Sequence, residues 1–309
     1  MIKKRNLDPS LVNYIDGLGM GIEARGALGG TVYYVEGNSG LDTNDGLSMD
    51  YAFKTLAKAI AVSNLDMARR ARWARRNTIY LIADTTTETL VAFPNKCDVV
   101  GIGSYDANTK PGITGHHAPV NTGNYSTRFF NIWFKAVATA SPIITLASTS
   151  SGCQFIGCTF DGAAGTVTSA ILATASPFLK VKDCDFFGPF ATGYMAFGTG
   201  EAGGTLIENN HMHGSAGLGI STVTGTTASY EAIVKDNLIS VTTTGICIDD
   251  EANSSTGILY TIGNRCMNAA TLTNYAGRTG IVDLNEDRAI DNICTGADIS
   301  VRVPLLIVA

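Results

Sequence analysis

The chain has 309 residues, of which 45% are hydrophobic and 16% charged, and its formal net charge is -5. This composition excludes intrinsic disorder, and its acidic balance argues against a nucleic-acid partner. No run of 18 apolar residues occurs, so neither a membrane span nor a membrane partner is expected. The 34 glycines and the low charge instead indicate short strands joined by tight turns.

Residues 1–30 are predicted to form an attachment arm outside the core. The basic residues 1–5 are followed by polar side chains rather than an apolar segment, so a secretion signal is not expected. Three apolar side chains of the arm are candidate contacts with a partner protein: Leu7, Leu11 and Tyr14.

Residues 31–77 are predicted to close one end of the fold. They contain a strand, a turn rich in glycine, aspartate and asparagine, and a helix over 52–61. Four apolar side chains share one face of that helix, namely Phe53, Leu56, Ala59 and Ile60. An exposed sheet end must be covered, and this helix is expected to cover it.

A cluster of arginines around Trp73 follows the predicted helix, and it consists of Arg69, Arg70, Arg72, Arg75 and Arg76. Arginine and tryptophan are enriched at interface hot spots, and arginine binds carboxylates through two parallel hydrogen bonds. The cluster and Trp73 are therefore a candidate docking surface for an acidic partner. The alternative is a solvated helix or loop beside the cap.

A repeat of about 27 residues extends over 78–300 and predicts an all-β fold, a right-handed parallel β-helix. Its anchor positions are Asn131, Cys158, Cys184, Asn210, Asn237, Asn264 and Asn292. Asparagine tolerates the left-handed backbone of a sharp corner, and stacked amides can bond from coil to coil. Two residues after each anchor an apolar side chain recurs, from Trp133 to Cys294, and is expected to fill the interior.

Three further expectations concern the path of the chain. Residues 78–102 are predicted to form the first of about eight coils. Residues 109–127 are expected to leave the rod as a loop, and 301–309 to form an apolar tail. The alternating charges of Lys182, Glu208 and Lys235 are predicted to stack on the outer face.

The polar side chains give no firm catalytic or metal site. If the protein is an enzyme, its candidate catalytic carboxylates are Asp249, Asp250 and Glu208, since glycoside hydrolysis requires a pair. Asp249 and Asp250 are also explained as a polar turn. His211 and His213 point to one face of a strand, but no third ligand follows them at zinc spacing. Seven cysteines contain no Cys-x-x-Cys pair, so no metal and no cofactor are expected.

Two resemblances add expectations about family. The strand and turn over 32–48, followed by the helix from Phe53 to Ile60, resemble the opening of pectate-lyase-like right-handed β-helix proteins. Polygalacturonases in that superfamily have paired aspartates, but their other catalytic motifs are missing here. Residues 1–25 resemble the leaders of small virion proteins of tailed bacteriophages, and β-helix virion proteins are often homotrimers.

These resemblances imply a bacteriophage virion structural protein, made in the host cytoplasm and without enzymatic activity. We expect a capsid decoration or cement protein that staples neighbouring capsid subunits as a homotrimer, in contact with capsid, portal or tail proteins. The alternative is a tail-attached spike or fibre that binds or depolymerises host surface polysaccharide. A third possibility is a passive glycan-binding rod, with Tyr125, Trp133 and Tyr194 as stacking residues.

Overall fold

The structure is a computed structural model. It describes the following residues: 30–69, 75–82, 85–103, 110–120, 125–147, 150–163, 167–198, 203–214, 216–222, 231–241, 246–249, 258–268, 281–282, 288–290, 293–295 and 300–302. Short strands dominate these segments, and they assemble into three sheets, called A, B and C below.

Sheet A has ten strands, in this spatial order: β1 (Val32–Val35), β2 (Asn77–Ile82), β4 (Cys97–Ile102), β6 (Arg128–Phe130), β9 (Gln154–Ile156), β12 (Lys180–Lys182), β15 (Thr205–Glu208), β18 (Glu231–Lys235), β21 (Ile258–Ile262) and β24 (Arg288–Ile290). Each strand is parallel to its neighbours. Neighbouring strands of the sheet therefore come from successive turns of the chain, as a solenoid requires.

Sheets B and C run beside sheet A. Sheet B comprises β3 (Thr85–Thr87), β5 (Gly112–Thr114), β7 (Trp133–Lys135), β10 (Thr159–Asp161), β13 (Asp185–Phe187), β16 (His211–His213), β19 (Leu238–Val241), β22 (Arg265–Asn268), β25 (Ile293–Thr295) and β26 (Ser300–Arg302). Sheet C comprises β8 (Ile144–Leu146), β11 (Ser169–Ala173), β14 (Phe190–Phe197), β17 (Ala216–Thr222), β20 (Ile246–Asp249) and β23 (Ile281–Val282). At the end of sheet B, β26 pairs antiparallel with β25. The predicted parallel β-helix is confirmed.

The N-terminal end of the rod carries a short 3-10 helix (Met49–Tyr51) and the helix α1 (Leu56–Arg69). The four residues of the predicted apolar face are almost fully buried, but the prediction that the helix begins at residue 52 was wrong, because Phe53 precedes it and forms a β-bridge with Val35. The helix continues beyond the predicted end because its apolar period continues to Met67, which is also buried. The Glu88 carboxylate accepts hydrogen bonds from the backbone N–H groups of Leu56 and Ala57 at 3.0 and 2.8 Å, which stabilises the first turn.

The corner between sheets A and B has the same construction in six coils. Two residues connect the strands, and the first is in the left-handed region with φ between 52° and 63°: Asn131, Gly157, Asp183, Asn209, Asp236 and Gly263. The second residue of each pair points inward: Ile132, Cys158, Cys184, Asn210, Asn237 and Asn264, all at most 2% exposed. The left-handed position is therefore the residue before the anchor, and the prediction that placed it on the anchor was wrong.

The pairing of neighbouring strands shifts the alignment of the first copy of the repeat by one residue. Phe134 pairs with Phe160, so Ile132 and not Asn131 occupies the anchor position. Phe134 is fully buried and Trp133 lies on the outer face. The prediction that Trp133 belongs to the interior column was therefore wrong. Within that column Phe160 and Phe186 stack with ring centroids 4.7 Å apart. The interior is thus filled by stacked aromatic side chains from successive coils.

Two predictions about the early part of the chain were also wrong. β2 and β4 lie side by side in sheet A, so residues 78–102 span two successive coils rather than one. The segment expected to leave the rod contains β5, which pairs with both β3 and β7 in sheet B. His117 in this segment is fully buried, which places it in the body of the solenoid. Within the described residues, no helix has the length and apolar character needed to cross a membrane.

Candidate functional site

The outer surface of sheet B carries a chemically varied set of side chains. On the three-residue strands β7, β10, β13 and β16 the central residue points inward and the two flanking residues point outward, because side chains alternate along a strand. The parallel register aligns the outward residues of successive coils. We call the following set the sheet B face: Trp133, Lys135, Asp161, Asp185, Phe187, His211 and His213.

A carboxylate and two imidazoles meet on the sheet B face. Asp185 Oδ1 lies 3.4 Å from His211 Nδ1 and 3.1 Å from His213 Nε2. The two imidazole rings stack with centroids 4.4 Å apart. The side chains of Asp185, His211 and His213 are 42%, 53% and 44% exposed, so a ligand can reach all three from solvent.

The position of Asp185 corrects the expectation that the two histidines lack a third ligand. Asp185 pairs with His211 across adjacent strands, and both residues directly follow an anchor, Cys184 or Asn210. The repeat therefore indicated that Asp185 lies beside His211. Spacing along the chain does not show this, because the nearest carboxylate belongs to the preceding coil.

Aromatic rings from different coils lie beside this cluster. Phe187 stacks on the His213 ring with centroids 6.0 Å apart. Trp133, two coils before Phe187, has its ring centroid 6.2 Å from that of Phe187. The Lys135 ammonium lies 3.7 Å from the Trp133 ring centroid, in cation–π geometry. Trp133 Nε1 is buried, and it has no hydrogen-bond partner within the segments that the structure describes.

Lys110 supports this surface from below. Its ammonium donates hydrogen bonds to the carbonyl oxygen of Gly157 at 3.1 Å and to Thr159 Oγ1 at 2.9 Å. Only 6% of Lys110 is exposed, and its desolvation lowers the pKa of the ammonium from its ordinary value. Thr159 pairs with Asp185 on the next strand, so Lys110 lies close to the acidic part of the sheet B face.

The three candidate catalytic carboxylates do not form one site. Glu208 ends β15 in sheet A, and its carboxylate lies 2.9 Å from Lys235 Nζ and 3.4 Å from Lys182 Nζ. These hydrogen bonds, that from Lys235 first, lower the pKa of Glu208. Asp249 ends β20 in sheet C, and Asp250 is outside the described residues. Glu208 therefore belongs to an alternating charge ladder on sheet A.

The asparagine ladder runs along the buried side of the corner between sheets A and B. The Asn210 side chain donates to Asn237 Oδ1, and the Asn237 side chain donates to Asn264 Oδ1, both at 2.9 Å. Asn210 Oδ1 in turn accepts the backbone N–H of Cys184 at 2.9 Å. Cys158 and Cys184 are buried free thiols in the same slot of the two preceding coils. Asn131 belongs to the left-handed position instead, and Asn292 is outside the described residues.

The candidate docking residues are only partly described. Leu7, Leu11, Tyr14, Arg70, Arg72 and Trp73 lie outside the described residues. Arg69 ends α1 and is exposed. Arg75 forms an ion pair with Asp66 and is 8% exposed, while Arg76 pairs with Asp98 at 2.8 Å. Arg75 and Arg76 therefore hold the cap and the first coils together rather than forming a free arginine surface.

The three candidate sugar-stacking residues differ in accessibility. Tyr194 is fully buried, and its hydroxyl donates to the Ser240 carbonyl oxygen at 2.7 Å, so that prediction was wrong. Tyr125 is 51% exposed but lies in the turn that precedes β6 of sheet A, away from sheet B. Trp133 belongs to the sheet B face.

Comparison with known proteins gives a fold-level similarity. A scan against protein-family models and a search of curated proteins each found no match. A solved structure of a rhamnogalacturonan lyase is similar over 85% of this chain and 87% of its own, with 12% sequence identity and a TM-score of 0.31.

The similarity to a lyase contradicts the expectation that the chain is not an enzyme, and we do not retain that expectation. At this identity and TM-score the likeness concerns the fold alone, so it assigns no reaction to the chain.

Proposed function

We propose that the protein is a β-helix rod that binds a polysaccharide along the sheet B face. The observation that carries this proposal is the combination of Trp133, Phe187 and His213 rings with the charged groups of Lys135 and Asp185 on one surface. Sugar rings present an apolar C–H face and a rim of hydroxyl groups. Aromatic side chains suit the first, and carboxylate and ammonium groups hydrogen-bond to the second.

The repeat geometry supports a chain-like ligand over a compact one. The ring-bearing strands β7, β13 and β16 belong to one sheet, in which neighbouring coils are about 4.8 Å apart. The binding groups thus recur along the rod axis. With the arm that resembles phage leaders, this surface suits a tail-attached spike or fibre that contacts host polysaccharide.

Substitution of the ring residues tests the proposal. An array of bacterial surface polysaccharides first identifies a ligand, and its affinity is then measured by titration. We expect Phe187→Ala and Trp133→Ala to weaken binding about tenfold or more, since a buried aromatic anchor contributes at least about 1.4 kcal/mol. Tyr125→Ala serves as the matched control, because Tyr125 is exposed but lies away from sheet B.

Two results contradict the proposal: no binding to any polysaccharide on the array, or equal losses of affinity for Phe187→Ala and Tyr125→Ala. The same incubations are followed by size-exclusion chromatography of the polysaccharide. A falling chain length reports cleavage separately from binding.

The outer surface of sheet A favours a second function, structural assembly in a virion. Five consecutive strands place half-buried apolar side chains in one column, which we call the sheet A stripe: Tyr34, Tyr80, Val100, Phe130 and Ile156. A contiguous apolar strip on a water-facing sheet is typical of an interface with another protein. We propose that other copies of the chain cover the stripe in a homotrimer, as the decoration or cement hypothesis requires.

Analytical ultracentrifugation tests the assembly proposal. Val100→Lys puts a charge in the middle of the sheet A stripe, and we expect it to convert a trimer into monomers. Thr145→Lys is the control, because Thr145 is half-buried on the outer surface of sheet C. A monomeric wild-type protein, or an unchanged oligomer in Val100→Lys, contradicts this role for the stripe.

A further inference from the structure

We propose that Asp185, His211 and His213 bind one divalent transition-metal ion, with zinc as the reference ion. They form a group of potential ligands whose donor atoms all lie within 4.8 Å of one another. Two histidines and one carboxylate are a common ligand set for zinc, iron, cobalt, nickel and copper, whereas calcium and magnesium prefer oxygen ligands alone.

The distances fit a metal centre. Zinc bonds of about 2.0–2.1 Å in tetrahedral geometry place two ligand atoms about 3.3 Å apart. Asp185 Oδ1 already lies 3.4 Å from His211 Nδ1 and 3.1 Å from His213 Nε2. Two edges of the tetrahedron are therefore present, and the third pair of donor atoms, on His211 and His213, lies within 4.8 Å.

The fold holds these ligands in place. His211 and His213 occupy alternate positions of β16, so both point outward, and Asp185 faces them from the paired strand β13. Phe187 stacks on the His213 ring and restricts its orientation. Sites on paired strands are more rigid than sites on loops, and such rigidity favours binding.

The arrangement leaves part of the metal coordination free. Three protein ligands occupy three positions, and the remaining ones face solvent because all three side chains are more than two-fifths exposed. Such an open position binds water or a ligand hydroxyl group. Metal binding is measured on the protein alone, so its result does not depend on whether the protein binds a polysaccharide.

Isothermal titration with zinc chloride tests the site, using full-length protein without a histidine tag. We expect one ion per wild-type chain, with binding weakened about tenfold or more in His213→Ala and in His211→Ala. Asp161→Asn is the matched control, since Asp161 lies on the same face outside the cluster. Circular dichroism of each variant verifies that the fold is retained.

A spectroscopic readout sharpens the test. X-ray absorption of the zinc-loaded protein should show about two imidazole nitrogens in a mixed nitrogen and oxygen shell. Absence of zinc binding by the wild type, or equal affinity in His213→Ala and Asp161→Asn, overturns the proposal.

Discussion

Asn237→Ala removes the central side chain of the asparagine ladder. In the wild type, Asn237 Oδ1 accepts hydrogen bonds from the backbone N–H and the side-chain amide of Asn210, at 3.0 and 2.9 Å. Asn237 Nδ2 donates to Asn264 Oδ1 at 2.9 Å and to the Ile207 carbonyl oxygen at 3.1 Å. Asn237 is 1% exposed and Asn210 2% exposed, so water does not replace these bonds at the surface.

The expected cost follows from the polar groups that lose their partners. The substitution leaves the buried backbone N–H of Asn210 without the acceptor described above. It also removes a donor from the Ile207 carbonyl group. Each buried unpaired group costs about 1–3 kcal/mol, so the loss of partners by these two groups should lower the free energy of unfolding by about 2–6 kcal/mol. That is a large fraction of the about 5–15 kcal/mol typical of native proteins.

Guanidinium denaturation followed by circular dichroism measures this loss. The neighbouring Asn209→Gly is the matched control, because Asn209 is exposed and its φ of 53° suits glycine. The control loses a bond from Asn209 Nδ2 to Asp183 Oδ1 and should cost less than about 1 kcal/mol. If Asn237→Ala costs no more than Asn209→Gly, the ladder does not stabilise the fold in the way described here.

Two further predictions concern pH and thiol reactivity. Hydrogen bonding to Lys235 lowers the pKa of Glu208 below its ordinary value of 4.5, so its stabilising contribution is complete above that pH and is lost as the pH falls through the lowered pKa. The melting temperature of the wild type should fall in that pH range, and Glu208→Gln should remove this part of the pH dependence. If the melting temperatures of the two proteins fall in parallel with pH, the assignment to Glu208 is wrong. Burial raises the pKa of Cys97 to about 12 and also raises that of Cys184. All six described thiols are buried, so they should resist an aromatic disulfide reagent at about pH 8 until the protein is denatured, and fast labelling of several thiols in the native protein contradicts their burial.

The coil architecture was predictable because successive coils carry similar residue types at equivalent positions. The equal spacing of Asn210, Asn237 and Asn264 reflects identical buried positions with identical bonding needs. The first copy was misaligned by one residue because Asn131 resembles an anchor by residue type. A left-handed corner and a buried ladder both favour asparagine, and only the pairing of neighbouring strands separates the two positions.

The candidate site was only partly predictable. The two histidines were recognised as sharing a face, but Asp185 joins them through strand pairing between coils, which chain spacing does not report. The three-residue strand β5 carries too little alternation to be distinguished from a loop. The burial of Lys110 depends on its contacts with Gly157 and Thr159, more than forty residues away in the chain.

The fixed two-residue corner between sheets A and B makes each coil an interchangeable module. In six successive coils this connection has the same length and the same left-handed first residue, so differences in repeat length fall on the other connections. Duplication of the gene segment that encodes one coil, from one such corner to the next, adds one coil to the solenoid. It lengthens the rod by about 4.8 Å and leaves the buried columns continuous. The length of the rod can therefore evolve by whole coils, while surface loops diverge at the remaining corners without disturbing sheets A and B.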